Sequence, residues 1–181
     1  MRVIVVPYDP AWPRPFEQVC AQLSATLATV SLVGIEHVGS TAVPGLAGKP
    51  VIDVDVIVTR ENVAAAIDAL EQDGYVSLGI TGVPDRHALA APDDAPRRNV
   101  YITVEGCLSL RNHLGVRDVL RSDATLRDEY GGLKLRLGER EYADIEGYVV
   151  DKSPVVQRIL ERAGLRGTER EEIAEINRPA G

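Results

Sequence analysis

The chain has 181 residues, of which 45% are hydrophobic and 26% charged, and its formal net charge is −7. Its length fits one domain of ordinary size, and its hydrophobic fraction excludes a wholly disordered chain. Proteins that hold nucleic acid through its phosphates carry a basic field, so the negative charge disfavours a nucleic-acid partner and favours small-molecule substrates.

Neither a targeting segment nor a membrane segment is visible in the sequence. The apolar runs fall short of the roughly 18–20 residues that a membrane span needs. Pro7 and Asp9 interrupt the N-terminal stretch too early for a signal peptide. Cys20 and Cys107 lie far apart, outside any disulfide framework or zinc-ligand spacing. We therefore expect a cytoplasmic protein with no membrane contact, in which Cys20 is a buried free thiol.

Hydrophobic periodicity divides the chain into a mixed half and a helical half. In chain order, the first elements predicted are a strand at 2–6, a helix at 16–30, a strand at 32–38, a Gly/Pro-rich loop at 39–50, a strand at 51–58, a helix at 61–73 and a strand at 75–80. Residues 81–98 are polar and rich in proline, which predicts a long loop of a kind that is often functional or mobile.

A last strand at 99–105 closes the mixed half. It is followed by three predicted helices at 108–121, 124–137 and 141–164, and by a short helix and frayed tail at 166–181. The pattern indicates an α/β (α+β) fold, with a mixed sheet of about five strands, flanking helices and a helical C-terminal extension. We expect a single domain over residues 1–165, with an α/β core at 1–106 and a helical portion at 107–165.

The clearest chemistry lies between residues 38 and 58. Asp53 and Asp55 are alternate residues of one predicted strand, so their side chains share a face and their Cα atoms lie roughly 6–7 Å apart. Two adjacent carboxylates repel each other unless a cation lies between them, and Mg²⁺ or Mn²⁺ suits oxygen ligands. Gly39 permits close approach of a ligand, while Ser40 and Thr41 offer hydroxyl and N–H groups to phosphate oxygens. This combination is what nucleotidyl or phosphoryl transfer requires.

The alternative to a metal site is that the two aspartates occur at this spacing by chance and have no function. Aspartates separated by one residue occur on many solvent-facing strand starts. Here the strand also contains Val51, Ile52, Val54 and Val56, which predict a buried central position. Paired carboxylates without a function would be costly there, so the functional interpretation is favoured.

Residues 35–55 read IEHVGSTAVPGLAGKPVIDVD and closely resemble the signature of the GrpB family. Further matches are VPYDP at 6–10, HL at 113–114 and VRD at 116–118, and the resemblance covers about residues 3–160. The family is also found fused behind dephospho-CoA kinase in some bacteria. The resemblance implies a nucleotidyltransferase fold related to DNA polymerase beta. It places Gly39 and Ser40 on the phosphate-binding pair, and Asp53 and Asp55 on the metal-binding carboxylates.

Three basic residues fall in family-like motifs. Arg117 and Lys134 are expected to bind the nucleotide's phosphates, and Lys152 to act at the phosphates or the acceptor in a catalytic role. For the lysines, the alternative is surface ion pairing with the acidic neighbours Glu129 and Asp151.

One departure from the family pattern concerns the strand at 99–105. Nucleotidyltransferases generally carry a third carboxylate on such a strand, but its interior here has none, and Tyr101 stands where the family commonly has histidine. Tyrosine has a pKa near ~10 and is a poor base at neutral pH. His113, on a predicted helix, is expected to orient its neighbours.

The leading hypothesis is transfer of a nucleotidyl group from a nucleoside triphosphate to a small-molecule acceptor, with Mg²⁺ or Mn²⁺ and with ATP as the expected substrate. Two alternatives stay open. One is a non-catalytic module that binds a nucleotide or a CoA precursor, and the other is an adenylate-driven ligase-type enzyme on the same fold. The sequence leaves the acceptor, the preferred base and the oligomeric state open.

Overall fold

The computed structural model describes residues 2–80 and 83–176, and within them five strands form one sheet. The strands are β1 (Leu32–Val38), β2 (Ile52–Val58), β3 (Val76–Ile80), β4 (Arg86–Ala90) and β5 (Arg98–Val104). The helices are α1 (Pro13–Thr26), α2 (Val63–Gln72), α3 (Leu108–Ser122), α4 (Ala124–Gly138), α5 (Ile145–Arg162) and α6 (Gly167–Ile176). The predicted class, a mixed sheet with flanking helices and a helical C-terminal part, is confirmed.

The sheet has the order β1-β2-β5-β4-β3. The neighbouring strands β2 and β5 run parallel, and the other neighbouring pairs are antiparallel. In the parallel pair, Asp53 lies beside Asn99 and Asp55 lies beside Tyr101. The register therefore fixes which side chains of β5 stand next to the two acids.

The two faces of β2 have opposite character. Val54, Val56 and Val58 have no exposed surface and pack with α1 and α2 in the main core. Full burial of each such side chain stabilises the fold by about 1.5–3 kcal/mol. Because alternate residues of a strand point to opposite faces, Asp53 and Asp55 point away from this core. The helical half covers the acidic face.

The helical half is held by a second core, to which the loop after β1 contributes. Asp123 and Asp144 cap the N-termini of α4 and α5, each accepting a backbone N–H bond at 3.0 Å. Such caps stabilise a helix by about 1 kcal/mol.

The second core consists of Val43, Leu46, Leu120, Leu126, Tyr130 and Ile159. Since its first two members lie in the loop, this core anchors the loop on the helices.

The strand predicted at residues 2–6 is wrong. Arg2 and Val6 each form only an isolated bridge, to Glu141 and to Gly48. Val3 is buried against Leu137 of α4 instead of joining the sheet. The β-branched run is therefore satisfied by packing on a helix and by pairing with the loop, an example of tertiary context overriding strand propensity.

The long loop predicted at 81–98 is also wrong in part, because it contains β4. The segment RHALA has no β-branched residue, and only its place between β5 and β3 makes it a strand. Residues 81–82 of that prediction, and the tail at 177–181, lie outside the described residues. The short helix predicted near 166 is confirmed as α6. None of the helices in the described ranges combines the length and apolar composition that a bilayer crossing requires.

Candidate functional site

The bend after β1 lies directly against the first acid of β2. Gly39 has φ 71°, in the left-handed region, and a Cβ atom there would lie 2.2 Å from Asp53 Oδ2. Ser40 opens a short 3₁₀ turn at Ser40–Ala42. Gly48 passes so close that a Cβ on it would lie 2.5 Å from Ser40 Cβ. Only glycine fits at the first position, for reasons of both backbone conformation and space.

The two carboxylates are held by different partners. Asn99 Nδ2 donates to Asp53 Oδ1 at 2.7 Å, and His113 Nδ1 lies 2.8 Å from Asp55 Oδ2. Asp55 has no exposed surface, and its other oxygen, Oδ1, is buried with no hydrogen-bond partner among the described residues. Burial raises the pKa of the Asp53 carboxyl, against the opposing effect of the Asn99 bond. A buried carboxylate oxygen without a partner is costly unless a further group binds it.

The lysines of the chain converge on this bend. The sequence contains three lysines among 20 basic residues, and all three, Lys49, Lys134 and Lys152, line the cavity beside it. They come from the loop, from α4 and from α5. Elsewhere the chain uses arginine for its positive charges. The fold therefore brings every lysine of the chain to one site.

Lys134 is the most buried of the three. Its side chain is 2% exposed, its Nζ donates to Ser40 Oγ at 2.7 Å, and it lies 4.5 Å from the centroid of the Tyr130 ring. Burial, and then the charge of Lys152, hold the pKa of Lys134 well below its ordinary value. Burial, and then Lys49, lower the pKa of Lys152 to about 8. Burial and the neighbouring positive charge thus make the protonated form of both lysines less favourable in free energy.

The surface ion pairs considered for these lysines do not form. Glu129 pairs with Arg158 at 2.5 Å, and Asp151 pairs with Arg140 at 3.1 Å. The lysines lie over aromatic rings instead, with Lys152 Nζ 5.3 Å from the Tyr148 centroid. Aromatic faces attract cations but leave the ammonium hydrogens available for an anion.

The cavity bounded by these groups has a volume of about 310 Å³, at the small end of the range for ligand pockets. Gly39, Ser40, Asp53 and the three lysines all line it. Asp55 does not line it but lies beneath, bonded to His113. One carboxylate and three lysine side chains therefore border the same space beside the glycine–serine bend.

Two of the predicted binding residues have structural partners instead of facing this cavity. Thr41 is buried, and its hydroxyl donates to Val51 O at 3.3 Å and pairs with His37 Nε2 at 3.0 Å. Arg117 donates to Glu36 Oε2 at 2.6 Å and to His37 O at 3.0 Å, and it lies outside the described lining of the cavity. Thr41 thus ties the turn after Ser40 to Val51, and Arg117 holds the end of β1 that leads into the bend.

His113 and Asn99 are the site residues that sequence reasoning underrated. His113 was expected to orient its neighbours, and its contact with Asp55 fits that role. Asn99 was not singled out, since its place beside Asp53 follows only from the β2–β5 register. Tyr101 occupies the corresponding place beside Asp55, and burial raises its pKa to about 12, so the phenol stays neutral.

The residues present fit a magnesium ion whose remaining ligands are phosphate oxygens and water. No group of three or more His, Cys, Asp and Glu side chains in the described residues is arranged to hold a metal ion alone. Mg²⁺, however, is usually bound by one or two carboxylates together with substrate phosphates and water. Asp53 and the unpartnered Oδ1 of Asp55 supply that number of carboxylates.

Comparisons with known proteins identify relatives over most of the chain. A family profile described as GrpB protein matches residues 2–162. The UPF0157 protein BH1888 of Halalkalibacterium halodurans is 34% identical over 164 residues, which are 89% of this chain and 82% of that protein. The dephospho-CoA kinase of Mycolicibacterium paratuberculosis is 30% identical over 189 residues, but the match spans 46% of that enzyme.

Solved structures extend the comparison to the fold. The crystal structure of the conserved protein GrpB from Enterococcus faecalis superposes with a TM-score of 0.75 at 31% identity, covering 90% of this chain and 100% of that one. Cid1 in complex with its short product ApU gives 0.52, covering 71% and 41%. The GLD-2/RNP-8 complex gives 0.55, covering 85% and 60%. Both are 16% identical and share only the nucleotidyltransferase fold. The chain belongs to the GrpB family.

Proposed function

We propose that this protein transfers a nucleotidyl group from a nucleoside triphosphate, with ATP as the first candidate, to a small-molecule acceptor in a Mg²⁺-dependent reaction. The observation that carries the proposal is the convergence of the chain's three lysines with Asp53 on the glycine–serine bend, with Asp55 two residues along the same strand. A cavity of mixed charge suits a triphosphate bound together with a divalent cation.

The lysines would bind the phosphates. Burial lowers the pKa of Lys134 and of Lys152. A polyanion bound in the cavity would raise both pKa values again, and the protonated lysines would attract it. Ser40, whose hydroxyl already accepts a bond from Lys134, would present its backbone N–H to a phosphate oxygen. Arg117 would act through the end of β1 that it holds, not by direct contact with phosphate.

Asp53 and Asp55 would hold the magnesium, with Asn99 and His113 fixing the orientation of their carboxylates. When bound, Mg²⁺ supplies charge neutralisation on the phosphates and polarises them toward attack. In the reaction, an acceptor oxygen forms a bond to the α-phosphorus and the bond to the β-phosphate oxygen breaks. Pyrophosphate leaves, and the acceptor's proton is released to solvent.

A second candidate is a non-catalytic module that binds a nucleotide or a CoA precursor. It is favoured by β5, where Asn99 and Tyr101 stand beside the two acids and neither is a carboxylate. Because the pKa of Tyr101 is raised to about 12, this phenol cannot act as a base near neutral pH. Similarity to part of a dephospho-CoA kinase makes a CoA precursor a reasonable ligand to test.

Calorimetric titration with nucleoside triphosphates, with and without Mg²⁺, followed by an assay for pyrophosphate release, separates the two candidates. Binding with pyrophosphate release supports the transferase, and binding without it supports the module. Asp53→Asn keeps an acceptor for the Asn99 bond, so it should fold normally and lower turnover by about 100-fold or more. Asp94→Asn makes the same change at an exposed position and should alter nothing. Wild-type turnover in Asp53→Asn would contradict the proposal.

A further inference from the structure

Each of the two acids on β2 has one carboxylate oxygen that is already bound. Asn99 Nδ2 donates to Asp53 Oδ1 at 2.7 Å, and His113 Nδ1 lies 2.8 Å from Asp55 Oδ2. No other hydrogen bond joins either carboxylate to the described residues, and Asp55 Oδ1 is buried without a partner there. One oxygen of each carboxylate is therefore left for a cation.

The remaining oxygen of Asp53 lies against the glycine–serine bend. A Cβ atom on Gly39 would lie 2.2 Å from Asp53 Oδ2, so this oxygen borders the turn that is proposed to hold the triphosphate. Asp55 Oδ1 belongs to the residue two positions along the same strand. Two carboxylate oxygens, completed by phosphate oxygens and water, suit one hard divalent cation.

The neighbouring strand β5 offers no further anionic ligand beside the two acids. Its residues on this face are Asn99, Tyr101 and Thr103. Burial raises the pKa of Tyr101 to about 12, so its phenol stays protonated. Thr103 is buried, and its hydroxyl donates to Val56 O at 3.4 Å. A second cation, which in two-metal sites lies about 3.5–4 Å from the first, would have no carboxylate of its own.

The positive charge beside the bend is supplied by lysines. Lys49, Lys134 and Lys152 line the same cavity as Asp53. Lys134 Nζ reaches the bend itself, where it donates to Ser40 Oγ at 2.7 Å. Ammonium groups bind phosphate oxygens and neutralise their charge, and they would repel an additional divalent cation in the same space. The lysines therefore take the place that a second cation would have beside the phosphates.

We infer that the site binds one divalent cation together with the triphosphate, not two, and that Asn99 sets this number. The inference rests on the proposed nucleotidyl transfer. The Asn99 amide occupies Asp53 Oδ1 and contributes no negative charge. A carboxylate at position 99 would release Oδ1 and add anionic oxygens beside it, which would create the ligand set for a second cation.

The test counts Mn²⁺ ions bound to the full chain by electron paramagnetic resonance, in the presence of α,β-methylene ATP, which cannot release pyrophosphate. Mn²⁺ prefers the same oxygen ligands as Mg²⁺ and is paramagnetic. The wild type should bind one Mn²⁺ per bound analogue. Asn99→Asp should bind two, which at about 4 Å apart should broaden each other's spectrum. Asn99→Ala, which releases Oδ1 but adds no charge, should bind one.

Asn62→Asp is the matched control, because it adds the same charge at the N-terminus of α2, beyond the opposite end of β2. It should bind one Mn²⁺. Since the Asn99 side chain is exposed, both of its variants should unfold at a Tm near that of the wild type. Two Mn²⁺ ions in the wild type, or only one in a folded Asn99→Asp variant, would overturn the inference alone. Failure of the analogue to bind would overturn the nucleotide proposal instead.

Discussion

Replacing Lys134 distinguishes a functional role from a structural one, because the two roles predict opposite effects on stability and on ligand binding. The change Lys134→Met removes the ammonium group but keeps an unbranched side chain of similar length, so the packing of this 2%-exposed residue is retained. If the lysine serves the fold, its loss should destabilise the protein. If it serves a polyanionic ligand, its loss should abolish binding and leave stability unchanged or improved.

The expected stability follows from opposing contributions. The variant loses the 2.7 Å bond from Nζ to Ser40 Oγ, about 1.5–3 kcal/mol for a bond from a charged donor. It is relieved of a buried cation, whose desolvation costs several kcal/mol, and of repulsion from Lys152. The two contributions leave a net change between zero and a gain of a few kcal/mol, and each kcal/mol raises Tm by about 2–4 °C in a chain of this size.

The gain has a defined pH dependence. In the wild type the pKa of Lys134 is lower in the folded than in the unfolded chain, so the folded state binds fewer protons and its stability rises with pH. The advantage of Lys134→Met is therefore largest at low pH, where Lys134 is protonated in both the folded and the unfolded chain. It shrinks as the pH approaches the ordinary lysine pKa of ~10.4.

Two assays distinguish a ligand-binding role of Lys134 from a structural one. Thermal unfolding should show an unchanged or raised Tm, and titration with Mg²⁺ and α,β-methylene ATP should show affinity reduced by about 10–100-fold, the equivalent of one lost charged contact. The control Arg136→Met removes a positive charge from an exposed position on the same helix and should leave the affinity unaltered. A Tm lowered by more than about 5 °C with unchanged affinity would refute the reasoning and make Lys134 a structural residue.

Three further predictions follow from the site and the fold. Affinity for the ATP analogue should fall as pH rises through about 8, because Lys152 binds phosphate in its protonated form, and Lys152→Arg should remove this fall when titrations are repeated between pH 6.5 and 9.5. Gly39→Ala should lower stability by about 1–3 kcal/mol and impair analogue binding, since its Cβ collides with Asp53, whereas Gly34→Ala, with nothing within 4 Å, should bind normally. Glu169→Gln should lower Tm at pH 7, because hydrogen bonds from its arginine partners depress the pKa of Glu169. That stability is present above the unfolded pKa of ~4.3 and is lost below it, so the difference in Tm from wild type should narrow in acid, and a difference independent of pH would contradict this origin.

The sequence predicted the elements whose patterns are local. The alternation in β2 placed Asp53 and Asp55 on one face, and the glycine–serine bend was identified beside them. β4 was missed because its residues have weak strand propensity and only its neighbours on both sides hold it in the sheet. The strand expected at 2–6 is absent although its residues have high strand propensity, because Val3 in this segment packs on helix α4 and not in the sheet.

Contacts between distant parts of the chain could not be predicted from one sequence. Asp55 and His113 are 58 positions apart, and Ser40 and Lys134 are 94 apart. Judged singly, Lys134 and Lys152 each resembled a surface residue with an acidic neighbour. The composition nevertheless contained a signal, namely that lysine is rare among the basic residues. All three lysines line one cavity.

The proposed nucleotide and magnesium site is tested most directly by a crystal structure of the full chain with Mg²⁺ and α,β-methylene ATP. We expect triphosphate oxygens in contact with Ser40, Lys134 and Lys152, and a magnesium ion bound by Asp53 and by Oδ1 of Asp55. An analogue bound elsewhere on the protein, or a magnesium ion bound without either carboxylate, would contradict it.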